Sequence, residues 1–407
     1  MSATLKFGAG SWAAKAGSVL AYNDLNNNFK PLPFTFTRAS TATRVNESGL
    51  IESVASGVPR IDFLNNADGH LLLEPSRTNS ALYSEQYGNS LINVTVSRND
   101  VSSPDGEVTA DRIIDNSSNG EHLLSYNSAG SVTNGASYTF SAFFKSDGTG
   151  GRGVIRFYTG AWQYSVYNLD SGSVSYTSGG TSNIVNYGDG WYRCSLTVTA
   201  VSDYSGLVGQ IGIANSSNKY TYQGASSLGV YFWGIQWEAG SYATSYIPTS
   251  GAAVTRAAET CNNGGNNQVI NSTEGVFYVE MNAFDNISRI SLSDGSSSNR
   301  VSFKIDANNI DFQYRIGGSY SYRVDVDIDT SNTNKIAMSF NNGVFVGYLN
   351  GVAIGNPISG ASLGQGVLNR LNFNDGNSAD SFEGNIKEVR VYDTALTDAE
   401  LQALTTI

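Results

Sequence analysis

Long apolar runs are missing from this sequence. No stretch of eighteen apolar residues occurs, so no membrane-spanning helix and no membrane insertion are expected. The opening MSATLKFGAGSWAAKAGSVLAYND holds an A-x-A-like patch, but Lys15 and Gly17 interrupt the apolar stretch a secretory leader needs, so no signal peptide is expected. Cysteine is scarce. Cys194 and Cys261 are the only two, too few for a disulfide framework, and a buried free thiol is the expectation. Histidine is as rare: His70 lies beside the turn Ala67-Asp68-Gly69, and His122 follows Asn119-Gly120 at the start of an expected strand. Each reads as an ordinary surface or half-buried residue rather than a general base. No Gly-rich phosphate loop, Cys-x-x-Cys pair or His-x-x-x-His pair is present. Charged residues make up only 14 %, with a formal net charge of −11 and a pI near 4.7. That balance disfavours nucleic acid and acidic bilayers as partners.

What is abundant points to β structure. The 407 residues include 44 glycines and 23 tyrosines, with many Ser, Thr and Asn. A chain of this length implies two or three domains, with cores large enough to need no metal or disulfide staple. Helical periodicity is almost absent, and short alternating runs broken by Gly, Asn, Asp and Ser recur to the end. The expected fold class is all-β: tandem antiparallel β-sandwich (jelly-roll) domains, an irregular N-terminal region and a short C-terminal helix. Texture divides the chain into residues 1–80, 81–256 and 257–407.

The first region carries most of the prolines and a density of charge. Thr43-Arg44-Val45 and Leu50-Ile51-Glu52 flank Asn46-Glu47-Ser48-Gly49, which predicts a hairpin. Arg38, Arg44, Arg60 and Arg77 sit near Glu47, Glu52, Asp62 and Glu74, a nearly balanced set. It reads as an ion-paired scaffold, with an anion site as the alternative.

In the second region, YTFSAFFKS (138–146), AWQYSVYNLD (161–170), GWYRCSLTVTA (190–200) and GVYFWGIQWEAG (229–240) read as strands. Alternation puts Tyr192, Cys194, Leu196 and Val198 on one face, and Trp191, Arg193, Ser195 and Thr197 on the other. In the last strand Tyr231, Trp233, Ile235 and Trp237 form an apolar row, opposite Phe232, Gln236 and Glu238.

Strand pairing in the third region follows residue by residue. VSFKI (301–305) and IDFQY (310–314) flank a four-residue loop; pairing Ile305 with Ile310 sets Phe303 opposite Phe312 and Lys304 opposite Asp311. A three-residue turn, Gly317-Gly318-Ser319, would then place Ile316 against Tyr320 and Tyr314 against Tyr322. Hairpins follow around Asn341-Asn342-Gly343 and at Asn350-Gly351. The strand IKEVRVYD leads to Thr397-Asp398-Ala399-Glu400, a Thr-x-x-Glu capping box that predicts a terminal helix.

With these residues in view the chain becomes familiar. FTRASTATRVNESGLIE, VPRIDF and LLLEPSRTN resemble a segment shared by many bacteriophage virion proteins, tail or fibre components among them. GWYRCSLTV with YFWGIQWEAGSYATSYIPTSGAAVTRAAE resembles the carbohydrate-binding-module type of jelly roll found in the same proteins. From Asn334 onward, the VGYLNG hairpin and terminal FEGNIKEVRVYDTALTDAEL are similar to the laminin-G-like, concanavalin A-like fold. The resemblance implies a virion protein on the particle surface, made in a host bacterial cytoplasm. Its partners would be other virion proteins and host cell-surface polysaccharide, and its state a homo-oligomer, a trimer by analogy with phage fibres.

Glycosidases of the concanavalin A-like fold carry two Glu flanking an Asp at alternate positions of one strand, bringing acid and nucleophile together. No Glu-x-Asp-x-x-Glu string occurs; the nearest, VDVDID (324–329), has only Asp. No catalytic residue is assigned, and the chain is expected not to be an enzyme. Same-face neighbours on a strand lie about 7 Å apart, so Asp325 and Asp329 are separated by about 13 Å and one Ca²⁺ cannot hold all three aspartates. A solvated ladder of alternating charge explains them; the alternative is one ion bridging Asp311 and Asp325, and no other cofactor is implied. Sugar rings stack their C–H faces on exposed aromatic rings while amides and carboxylates take the hydroxyls. Trp162, Tyr164, Trp191, Arg193, Gln236 and Glu238 are the candidate glycan-binding residues, set against the commoner use of strand aromatics as core. Two rivals stand beside glycan attachment: a purely structural head-fibre, capsid-decoration or tail component, and a polysaccharide depolymerase.

Overall fold

A computed structural model describes residues 3–8, 12–20, 33–86, 90–127, 130–205, 208–284, 287–330 and 332–407. The chain is all-β, with antiparallel sandwiches and a short C-terminal helix. It divides into two compact units: one comprises residues to Thr41, Val54–Pro75 and Ala257–Ile407, the other Ala42–Ser53 and Ser76–Arg256. The first eighty residues are shared between the two and form no unit of their own.

The middle unit holds, among the described residues, two six-stranded sheets. One runs Val94–Val101, Ala110–Asp115, Gly229–Ala239, Ser137–Ser146, Trp191–Thr199, Thr181–Asn186; the other runs Ser90–Ile92, Leu123–Asn127, Val208–Ala214, Arg152–Tyr158, Trp162–Asn168, Ser173–Ser178. Their facing rows make one core, with Phe140, Ala142, Phe144, Cys194, Leu196 and Val198 from the first meeting Ile155, Phe157, Tyr167, Ile211 and Ile213 from the second. Both thiols are free and buried, and burial pushes their pKa values up.

Strand Gly229–Ala239 departs from simple alternation. A bulge lies opposite Ser141–Phe143, where Gly234 adopts φ +63° and a side chain would press on the Phe143 ring. The extra residue switches faces midway. Phe232, Ile235 and Trp237 therefore reach the inter-sheet core, while Trp233 joins Phe143 and Tyr246 on the outer side. The expected single row of Tyr231, Trp233, Ile235 and Trp237 is thus divided.

In the other unit the longest sheet runs Val352–Ser359, Val344–Leu349, Asn334–Asn341, Glu274–Ala283, Gly384–Tyr392, His70–Leu73, Arg60–Asp62. Leu5–Gly8 also pairs with Gly384–Tyr392, Leu5 opposite Val391. Its apolar face packs on a five-stranded sheet built from Ser288–Ser293 to Ser319–Asp327 and Arg370–Asn372; Phe277 stacks on Phe303 at 4.9 Å. Ile305–Ile310, Phe303–Phe312, Lys304–Asp311 and Tyr314–Tyr322 pair as expected. The turn itself is shorter than expected. Gly317 and Gly318 alone, both at positive φ, turn the chain, Ile316 meets Ser319, and a bulge beyond Arg315–Tyr320 restores the register. Asn342-Gly343 and Asn350-Gly351 make two-residue turns. Thr397 and Glu400 close the capping box of the helix Asp398–Thr405, whose Leu401 is buried against Val276, Tyr278 and Tyr348.

Arg38, Arg44 and Arg60 of the opening region serve structure. Within this unit the Glu259 carboxylate accepts from Arg38 Nη1 at 2.7 Å, from Arg60 Nε at 2.8 Å and from the Glu74 amide at 3.0 Å, with Arg60 Nη2 bonding both Glu259 and, at 2.8 Å, Glu74. All four side chains are buried. Burial alone would lower the Arg60 pKa, but Glu259 and Glu74 outweigh it and raise it. In the middle unit Arg44 pairs with Glu52 at 2.7 Å on the surface of the predicted hairpin. Asp62 faces His70 at 3.3 Å.

Candidate functional site

The most developed open surface of the middle unit is the outward face of its second sheet. In Arg152–Tyr158, Ile155 and Phe157 point to the core, so Val154, Arg156 and Tyr158 point out. Register sets Tyr158 beside Trp162, Arg156 beside Tyr164 and Gln210, and Val154 beside Val166. Leu123, Val154, Val166 and Ala214 form a buried apolar floor under this face.

Above that floor the rings form two trios joined by one cation. Tyr158 lies 4.8 Å from Tyr204 and 5.2 Å from Trp162, edge to face. Tyr164 lies 5.2 Å from Tyr176 and 4.9 Å from Tyr220. The Arg156 guanidinium sits 3.9 Å above Trp162 and 5.3 Å from Tyr220, a cation–π position relative to both. Its Nη1 donates at 3.0 Å to both Glu121 and Gln210, and Gln210 in turn donates to Ser125 at 3.3 Å. Trp162 is 40 % exposed, Tyr176 44 % and Tyr204 37 %, so flat apolar rings face solvent beside fixed polar groups. The Tyr164 hydroxyl is pushed up to about 12, by burial first and then by Tyr176 and Tyr220. It therefore stays a neutral donor over the physiological range. Such a surface can hold a ring with an apolar face and hydroxyl edges.

Two of the six sequence candidates, Trp162 and Tyr164, are part of this surface. The other four lie on the outer side of the opposite sheet and are buried. Trp191 donates its indole N–H to the Ser102 carbonyl at 3.1 Å. Arg193 bonds the Thr244 carbonyl and, at 3.1 Å, Ser141. Gln236 donates to Glu238 at 2.7 Å and accepts from the Ile247 amide at 2.7 Å, and Glu238 accepts from the amide and hydroxyl of Thr244. These contacts fasten residues 244–247 over the sheet, and Tyr246 seals the layer against Phe143 and Trp233. Alternation indicated that the four leave the inter-sheet core; it carried no sign of what covers them. Arg156, Tyr158, Tyr176, Tyr204, Tyr220 and Gln210 escaped notice, although the alternation of Arg156 and Tyr158 with Ile155 and Phe157 is a readable signal.

Asp311 and Asp325 are cross-strand partners as expected, and Arg323 occupies the position between them. Its Nε lies 3.0 Å from Asp311 and its Nη2 3.6 Å from Asp325. Asp311 also accepts from Gln313 at 2.5 Å; burial nevertheless raises its pKa. Among the described residues no group of three or more His, Cys, Asp or Glu is placed to hold a metal ion. His70 and His122 are both buried, and each nitrogen of His122 faces a main-chain carbonyl, Asn93 at 2.8 Å and Tyr222 at 3.1 Å. Among the described residues no helix is long and apolar enough to cross a membrane.

Comparison with known proteins bears on the fold. Residues 276–402 match the laminin-G-type family described as the concanavalin A-like lectin/glucanases superfamily. No curated protein matches the chain. Among solved structures it is similar to the CBM40 of a Ruminococcus gnavus IT-sialidase bound to α2,3-sialyllactose, at 21 % identity over 33 % of this chain and 83 % of that one, with a TM-score of 0.29. Domain 4 of AbnA, a GH43 extracellular arabinanase from Geobacillus stearothermophilus in complex with arabinotriose, gives 19 % identity, 40 % and 82 % coverage, and a TM-score of 0.29. The LG4-5 domains of the mouse laminin α1 chain give 10 % identity, 69 % and 90 % coverage, and a TM-score of 0.24. Likenesses of this size set no ligand for this chain.

Proposed function

We propose that the chain is a glycan-binding attachment protein of a bacteriophage particle, gripping host-surface polysaccharide through the outward face of the middle unit without cleaving it. The observation that carries the reading is the pair of aromatic trios bridged by Arg156. Exposed rings on a rigid sheet offer stacking area at little entropic cost, and Arg156, Gln210 and Tyr164 supply hydrogen bonds at fixed positions. Glu121, a carboxylate on this face, is ion-paired to Arg156, an arrangement that suits holding a sugar better than protonating a leaving group. Repetition of the face on an oligomer would multiply weak individual affinity through effective concentration. The ion-paired scaffold of the other unit supports a structural role in the virion, with other virion proteins as its partners.

A glycan array with purified protein tests the reading. Saturable binding to a host polysaccharide is expected. Trp162→Ala should weaken it at least tenfold, about 1.4 kcal/mol, with the protein still folded because Trp162 is 40 % exposed and lies outside the inter-sheet core. An array without hits, or full binding by the variant, would remove this face from the proposal.

A further inference from the structure

We infer a second, separate ligand site in the middle unit: a cavity at one end of the sandwich that takes a small organic carboxylate with a ring-shaped apolar face. The cavity has a volume of about 380 Å³, within the range of small-molecule sites. Phe157 and Trp237, both buried and 5.0 Å apart, belong to its wall, as do Arg77, Thr78, Ser131 and Tyr138. It lies away from the aromatic trios, since Phe157 and Trp237 point between the sheets while Arg156 and Trp162 point out.

The charge at this cavity identifies the ligand. Arg77 is held in place: its guanidinium lies 5.5 Å from the Tyr242 ring, and Nη1 donates to the Ser76 carbonyl at 3.1 Å. Gly240 makes room for it, because a side chain there would come within 2.9 Å of Arg77 Nε. Among the described residues no carboxylate pairs with Arg77. Glu238, which also borders the cavity, is committed to Gln236 and Thr244. Arg77 is therefore a cation without an ion-pair partner among the described residues, and the Glu238 oxygens beside it are already filled by three neutral donors. The Arg77 guanidinium suits a carboxylate, and Phe157 and Trp237 make the adjoining wall apolar. Uronic acids and aromatic acids share that chemistry.

The test uses the full chain with sodium glucuronate, sodium benzoate, and glucose as the uncharged control, read by calorimetry and ligand-observed NMR. Saturable binding of at least one carboxylate is expected, with a dissociation constant on the order of 1 mM, and whichever binds identifies the source of the acid. Arg77→Gln should weaken it at least tenfold and Arg77→Lys, which keeps charge without the guanidinium, by less. Trp162→Ala should leave it unchanged, so this site and the glycan face fail or stand independently. The inference is overturned if neither carboxylate saturates, if glucose binds equally, if folded Arg77→Gln binds like the parent, or if Trp162→Ala abolishes binding.

Discussion

Replacing Glu259 with Gln isolates the scaffold's central group. The carboxylate offsets two buried guanidiniums, those of Arg38 and Arg60, together with Glu74, so the four charges cancel. An isosteric amide leaves one net positive charge buried and turns one acceptor oxygen into an N–H donor facing other donors. Arg38 retains carbonyl partners at Ser40, Val54, Ala55 and Val58, and Arg60 loses one of its two carboxylates. Removing one partner of a buried pair costs about 3–5 kcal/mol. In a unit of some two hundred residues, each kcal/mol moves Tm by roughly 2–4 °C, so a fall of roughly 6–20 °C is expected. Scanning calorimetry, with urea titration as a second measure, reads it directly. A loss below about 1 kcal/mol would refute the reasoning, since it would mean that water or rearrangement replaces the carboxylate at little cost.

Three further outcomes follow from the described contacts. Arg44→Ala removes a surface pair and should cost under about 1 kcal/mol at neutral pH. Burial opposes ionisation of Glu52, but bonds from Arg44 and Asn46 outweigh it and hold its pKa below the usual 4.5; the contribution is therefore present above that value and lost as pH falls through the lowered one, and a penalty unchanged at pH 3 would contradict it. Thr397→Ala should cost about 1 kcal/mol and speed amide exchange in Asp398–Thr405, and unaltered exchange would deny the cap its role. Adding calcium or a chelator should move Tm by less than about 1 °C, because Arg323 stands between Asp311 and Asp325; a rise of several degrees with calcium would show a site there.

Local pattern was a good guide wherever the determining residues are neighbours in sequence. The Ile305–Ile310 register, the Asn-Gly turns and the Thr397 capping box each depend on a few adjacent positions, and each appears in the structure. Distant partners left no trace. Glu259 bonds Arg38 across 221 positions, and no local spacing advertises that. Gly234 could be read as a glycine in a strand, yet the bulge it permits depends on Ser141–Phe143 of a neighbouring strand. Trp191, Arg193, Gln236 and Glu238 have the alternation of a solvent face and are buried, the last three against residues 244–247 and Trp191 against Ser102. Trp162, 40 % exposed, keeps the solvent exposure that its alternation implies.

The interleaved chain order has a price in time. Thr4 and Val391 bond across 387 positions, an interval a ribosome takes roughly 20–80 s to traverse. The middle unit, whose segments emerge earlier, can condense while the first strands still wait. Through that delay Leu5–Gly8 and His70–Leu73 carry unsatisfied backbone edges, the kind of surface that invites mispairing between nascent chains. Slower translation of the last 150 residues should therefore raise aggregation, and a chaperone that shields early strand edges should relieve it.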